Sequence, residues 1–244
     1  ISISFDRVAD IYDRTRALPP QVMKRLIQVL TSELSGCKAI LDVGVGTGRF
    51  AEPLQNAGFE LVGVDISKKM IGKAKEKGVH DLILAHACYL PFRDSVFDAA
   101  MSVHILHLIS QWNAALREIC RVTKRFMVST NHAGEDPIRQ EYNDLLKKYG
   151  YKRRRPGKSE QELSKIVMPV KSVFVSSYKT SADDHLDHMW QGTSSSQWEI
   201  PADVNHKVVD QLRRKFAGQT FPQELRLMIW DINDVRAYSK KANI

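Results

Sequence analysis

Residues 39–50, AILDVGVGTGRF, constrain the fold more than any other stretch of this chain. The apolar run ending at Val43 predicts a short buried strand. Gly44, Gly46 and Gly48, on alternate positions, predict a turn that passes close to another group. Glycine supplies positive φ and leaves no Cβ between backbone and ligand. Behind the turn Phe50, Leu54 and Ala57 recur at helical spacing, and Gly58 supplies a stop. The glycines therefore stand between the carboxyl end of a strand and the start of a helix, where open α/β sheets bind nucleotides.

The spacing separates two ligand classes. A dinucleotide fingerprint, G-x-G-x-x-G, needs a third glycine where this chain has Arg49. The pattern here is D-x-G-x-G-x-G, with Asp42 two residues ahead of the first glycine. An anion at that place repels a pyrophosphate and attracts an ammonium- or sulfonium-bearing ligand. These residues resemble motif I of the class I S-adenosylmethionine-dependent methyltransferases, which implies that Asp42, Gly44, Gly46 and Gly48 contribute to a cofactor site.

Residues 59–65 read as a second buried strand ending in an acid. Asp65 lies 23 residues beyond Asp42, near the offset of about 20 at which a carboxylate reaches ribose hydroxyls. Ser67 is placed to cap a helix with Met70 and Ala74 facing inward and Gly78 at its end. Residues 82–85 form a third strand, and residues 86–98 resemble the D-A-x-x-L-P-F…F-D stretch of the ubiquinone-biosynthesis-like (type 11) methyltransferases. That resemblance implies that Ile66 and Met70 pack on the adenine. The acid that normally accepts from the adenine amino group is His86 here, so either its imidazole or the backbone at Ala87 and Cys88 takes that bond.

Residues 97–103 make a fourth strand, and the resemblance puts Ser102 and Val103 at the cofactor, with Leu106-His107 near the reacting centre. Ser110 is the expected cap of a helix facing inward through Trp112, Ala115, Leu116 and Ile119. Arg117-Glu118…Arg121-Val122 continues the likeness, but the usual K-P-G-G is missing before a fifth strand at 126–130. At the other end, F-D-x-x-A-x-x-Y-D over residues 5–13 resembles a lead segment that folds over the cofactor, which implies a closing role for Tyr12.

The expected fold is α/β: a Rossmann-like, doubly wound, seven-stranded sheet with its last strand antiparallel, plus a helical lid insertion. It divides into cap helices at 1–36, a cofactor-binding core at 37–180, a lid at 181–222 and a terminal antiparallel strand at 223–244, all one methyltransferase domain. Within the core, Ile138, Tyr142, Leu145 and Tyr149 mark a helix, 152–158 is a basic linker, and Ser159 with Glu162 forms a capping box. The lid holds Asp184 and His188 at helical spacing, a pair that falls short of a metal site.

The implied function is transfer of a methyl group from S-adenosyl-L-methionine to a small-molecule acceptor by in-line displacement. The catalytic residue is unassigned; His104, His107 and His185 are the candidates for a base. The net charge of +8 and the 152–158 segment support an RNA methyltransferase as one alternative. A non-catalytic, SAM-binding regulatory protein is the other. Cys37, Cys88 and Cys120 lack disulfide or zinc spacing. No apolar run is long enough to span a bilayer and no signal-peptide core is seen, so a cytoplasmic location is expected.

Overall fold

The structure, a computed structural model, describes residues 2–241. Seven strands, β1 (Ala39–Val43), β2 (Glu60–Asp65), β3 (Leu82–Leu84), β4 (Phe97–Ser102), β5 (Thr123–Ala133), β6 (Lys171–Ser181) and β7 (Thr220–Asp231), form one sheet in the order β3-β2-β1-β4-β5-β7-β6. The first five run parallel, and β7 is antiparallel to both β5 and β6. This is the doubly wound arrangement expected from the sequence. The chain order reverses between β1 and β4, which opens a crevice at their carboxyl ends.

The helices are α1 (Tyr12–Arg16), α2 (Pro20–Glu33), α3 (Ala51–Asn56), α4 (Lys68–Glu76), α5 (Trp112–Val122), α6 (Pro137–Lys148), α7 (Glu160–Leu163), α8 (Ala182–Trp190), α9 (Ala202–Phe216) and α10 (Ile232–Lys241). Alternation along β1 assigns them to faces: Ile40 packs with Val22, Leu26 and Leu30 of α2, whereas Leu41 packs with Leu116 and Ile119 of α5 and Val235 of α10. A strand covered on both faces is apolar at most successive positions, as β1 is at every position but Asp42. Among the described residues no helix is long and apolar enough to cross a membrane.

Four features depart from the sequence expectation. β5 covers Thr123–Ala133 rather than five residues, because its far half pairs with β7 down to Ala133 opposite Glu224. The terminal segment is a strand only to Asp231 and then turns into α10; residues 242–244 lie outside the described residues. The cap position of α5 is Gln111 rather than Ser110, and Gln111 makes no side-chain cap bond. Finally, α6 does not pack as part of the 37–180 core: Ile138, Tyr142 and Leu146 join Leu186 of α8 and Val208 and Leu212 of α9 in a separate cluster.

The predicted cap at Ser67 is present and has a second partner. Its Oγ accepts from Met70 N at 3.1 Å and donates to Asp6 Oδ1 at 2.6 Å, so one buried hydroxyl ties the start of α4 to the N-terminal segment. Ser67→Ala removes both bonds, and urea denaturation is expected to register a loss of about 1–2 kcal/mol.

Candidate functional site

The three glycines of the turn have two different reasons to be glycine. All have φ between 56° and 78°. A Cβ on Gly44 would meet Ile105 Cγ2 at 2.1 Å, and one on Gly48 would meet Val79 Cγ2 at 2.6 Å, so both are held by packing. Gly46 is different: nothing but the Gly44 carbonyl, at 3.9 Å, lies near its ideal Cβ position. That open face borders a cavity of about 590 Å³ at the carboxyl edge of the sheet. The turn is clamped to β2, with Gly44 N and Val45 N donating to Val64 O at 2.7 and 3.0 Å.

Asp65 ends β2 at the floor of this cavity. Its Oδ2 accepts from Gly46 N at 2.9 Å and its Oδ1 from Ser67 N at 2.8 Å, fixing the carboxylate while each oxygen keeps a second lone pair. Burial pushes its pKa up, and the backbone N–H donors oppose that shift.

Asp42, expected to face the ligand, does not line the cavity: it lies behind the turn, 2% exposed, and its Oδ2 has no hydrogen-bond partner among the described residues. Burial and then the nearby Asp65 raise its pKa from 3.8 to about 7, while Arg49 pulls the other way. The unfolded chain gives up this proton near pH 4 and the folded chain near pH 7. Between those values the folded state holds more protons, so stability falls as pH rises. Asp42→Asn keeps the shape without the charge, and urea denaturation at about pH 5 and about pH 8 is expected to show a flatter profile than wild type.

Of the other residues expected at a cofactor, Tyr12, Gly44, Gly46, Ile66, Met70, Ala87 and Val103 line the cavity with Asp65. Gly48, Cys88 and Ser102 do not. Gly48 packs against Val79 and Ala74, the Cys88 thiol points into the core toward Gln111 O at 3.5 Å, and Ser102 Oγ is turned inward to Glu160 Oε1 at 3.1 Å. The spacing that brings a strand end to the crevice does not say which of two successive side chains faces it.

His86 lines the cavity with both ring nitrogens engaged. Nδ1 accepts from Cys88 N at 3.1 Å, so in the neutral ring Nε2 carries the proton and donates to Ser2 Oγ at 2.7 Å. Burial lowers its pKa and favours that neutral form. Its single acceptor site is therefore taken by Cys88 N.

Two segments close over the cavity. Thr47 Oγ1 donates to Asp13 Oδ1 at 2.5 Å, and Arg49 donates to the carbonyl of Arg16, tying the N-terminal segment to the turn. The Phe5 ring lies 5.9 Å from Tyr12 and 5.2 Å from Trp198 of the insertion. Arg16 Nη2 reaches Thr193 O at 3.1 Å, joining the two coverings.

His104 and His107, just past the carboxyl end of β4, and His132, near the carboxyl end of β5, line the cavity. His104 has φ 60°, an uncommon backbone for a non-glycine residue, and its ring stacks on His132 at 5.5 Å. His132 Nδ1 shares a 2.8 Å hydrogen bond with Tyr178 Oη. Burial, with nearby positive charge, drops the pKa of His107 and of His132 to about 4 and takes that of His104 well below the usual range. All three are neutral at pH 7. His185 lies instead in a smaller adjoining pocket, with Nδ1 3.8 Å from Asp136 Oδ1.

Three groups here escaped the sequence reading. His132 sits in the part of β5 that the sequence left unassigned. Glu160, 2% exposed, accepts at Oε1 from Ser102 Oγ, Ile105 N and Leu106 N at 3.0–3.1 Å and so braces the segment that carries His104. The third group is arginines: Arg16, Arg139, Arg153 and Arg155 all line the cavity, although 152–158 reads as a solvated basic loop. Arg154 faces out, 78% exposed and 3.4 Å from Glu199, whereas Arg153 is half-buried and the exposed Arg155 still borders the cavity.

Comparison with known proteins bears on the family and the fold. The family described as "Methyltransferase domain" matches residues 41–126. A demethylmenaquinone methyltransferase of Renibacterium salmoninarum is 32% identical over 155 residues, covering 60% of this chain and 65% of that protein. A malonyl-[acyl-carrier protein] O-methyltransferase of Erwinia pyrifoliae is 32% identical over 125 residues, covering 51% and 47%. The chain thus spans less than two thirds of the length of these curated relatives. The YcgJ protein of Bacillus subtilis has the same fold, with a TM-score of 0.52, 24% identity and coverage of 85% of this chain and 95% of that one.

Proposed function

We propose, from the match of residues 41–126 to the methyltransferase domain family, that the chain is an S-adenosyl-L-methionine-dependent methyltransferase acting on a small molecule. The observation that carries the reading is one cavity with a fixed carboxylate, Asp65, and an open glycine face, Gly46, on its floor, and neutral histidines at the strand ends nearby. These residues fit the cofactor. Asp65 offers two lone pairs to vicinal hydroxyls, Gly46 lets backbone approach closely, and Ile66 and Met70 give an apolar wall. Tyr12, Gly44, Ala87 and Val103 complete the holding set. When bound, the cofactor supplies an electrophilic methyl group on a cationic sulfur.

The remaining work falls to the chain. The N-terminal segment and the insertion, joined through Arg16 and Thr193, exclude water from the cavity. His104 and His132 are held by Glu160 and by Tyr178 respectively, one through its backbone segment and one through its ring. In the tautomer whose Nδ1–H donates to Tyr178 Oη, His132 keeps Nε2 as an acceptor for a proton leaving the methyl acceptor. No observation favours RNA, since Arg153 and Arg155 line the small-molecule cavity.

Two measurements test the reading. Calorimetry with S-adenosylhomocysteine is expected to give saturable binding at one site. Incubation with methyl-labelled S-adenosylmethionine is expected to move label into the small-molecule fraction of a metabolite extract and not into its RNA. Absence of homocysteine-nucleoside binding overturns the proposal.

A further inference from the structure

Four guanidinium groups from three segments converge on one side of the cavity: Arg16 at the end of α1, Arg139 in the first turn of α6, and Arg153 and Arg155 between α6 and α7. Arg16, Arg139 and Arg153 also line the adjoining pocket with His185 and His188, so they form one cluster rather than a scatter. Nearby carboxylates do not balance it. Of these four, only Arg139 has an ion pair among the described residues, with Asp136 Oδ2 at 2.8 Å. Glu160 is committed to Ser102 and two backbone N–H groups, and Glu162 to Ser159 N and Oγ at 2.8 and 2.9 Å.

The partners that Arg16 and Arg153 do have are neutral. Arg16 donates to the Thr193 carbonyl, and Arg153 donates from Nε and Nη2 to Ser196 Oγ at 2.8 and 2.6 Å. Such bonds fix the guanidinium planes without cancelling charge. Burial lowers the pKa of Arg16, of Arg153 (to about 10) and of Arg155, yet all stay protonated at neutral pH. Like charges partly removed from water are costly to hold together unless an anion joins them. A guanidinium fork also matches a two-oxygen acid group in a way that an ammonium does not.

We propose that the molecule this cavity methylates is an organic anion, anchored through a carboxylate or phosphate group by Arg16, Arg139 and Arg153, with the exposed Arg155 at the margin of the grip. The anion is the anchor; the inference assigns no nucleophile. It rests on the reading of the cavity as a methyl-transfer site. It also explains why the basic segment alternates between cavity-lining and outward-facing arginines, which a phosphate-backbone surface would not require.

The test uses the whole chain saturated with S-adenosylhomocysteine, titrated with inorganic phosphate and separately with acetate at constant ionic strength set by chloride. Thermal midpoint and calorimetry are the readouts. At least one of the two anions is expected to bind saturably, phosphate preference indicating a phosphorylated acceptor and acetate preference a carboxylic acid. Arg153→Gln and Arg16→Gln are each expected to weaken that binding by about tenfold or more, Arg153→Lys to restore part of it, and Arg154→Gln to leave it unchanged. Affinity for S-adenosylhomocysteine should stay within about threefold of wild type in the three variants at positions 153 and 154, whose side chains belong neither to the set proposed to hold the cofactor nor to the Arg16–Thr193 tie. Normal nucleoside binding with no response to either anion overturns the anchor and leaves the methyltransferase reading intact. Anion binding without nucleoside binding does the reverse. Binding only to an RNA oligonucleotide, lost in Arg154→Gln, also overturns it.

Discussion

Asp65→Ala is expected to weaken S-adenosylhomocysteine binding by about a hundredfold or more, the loss of two charge-assisted hydrogen bonds at about 1.5–3 kcal/mol each. The carboxylate also holds Gly46 N and Ser67 N, so the variant loosens the turn as well as removing the acceptors. Removal of a buried charge offsets part of that structural loss, and the thermal midpoint is expected to move much less than the affinity. Asp65→Asn separates the two effects: its single amide oxygen cannot accept from both backbone donors and from a pair of hydroxyls, so binding should remain poor in a chain that melts close to wild type. Unchanged calorimetric affinity in both variants would sink the assignment of β2's terminal acid.

Trp230→Ala is expected to produce the largest stability loss of any single substitution considered. Trp230 is fully buried on β7 in the cluster shared by α5, α7 and α10, and its Nε1 donates to Val167 O at 2.8 Å. Truncating a buried tryptophan costs about 3–5 kcal/mol, and the stranded Val167 carbonyl adds about 1–3 kcal/mol. Against a typical total of about 5–15 kcal/mol, the variant should sit close to its unfolding transition at 37 °C. Trp230→Phe fills most of the space and loses only the indole donor, so chemical denaturation should place it between the two. A Trp230→Ala chain with wild-type denaturation would mean that this edge of the sheet is not part of the cooperative core.

The features legible in the chain were those set by local chemistry. A strand buried on both faces is apolar at most steps, and left-handed φ selects glycine, so β1, with Asp42 its one polar position, and its turn could be read from residues 39–50 directly. Ser67 and Ser159 were legible as caps for the same reason: the partner of each hydroxyl lies three residues away, at Met70 N and Glu162 N. The doubly wound sheet with β7 reversed was legible through likeness and the alternation of elements.

What the sequence by itself determined, then, was the sheet, its glycine turn and the acid at the end of the next strand, because neighbours within a few residues fix them. Tertiary structure alone decided which side of each strand end meets the cavity: Val103 rather than Ser102, Ala87 rather than Cys88, and Asp65 rather than Asp42. It also decided that α10 closes the chain against β5 and α5. The arginine cluster is the clearest case. Arg16, Arg139 and Arg153 lie more than a hundred residues apart at the extremes, each reads locally as a solvated charge, and only the docking of the N-terminal segment and of α6 against the insertion brings them to one side of one cavity.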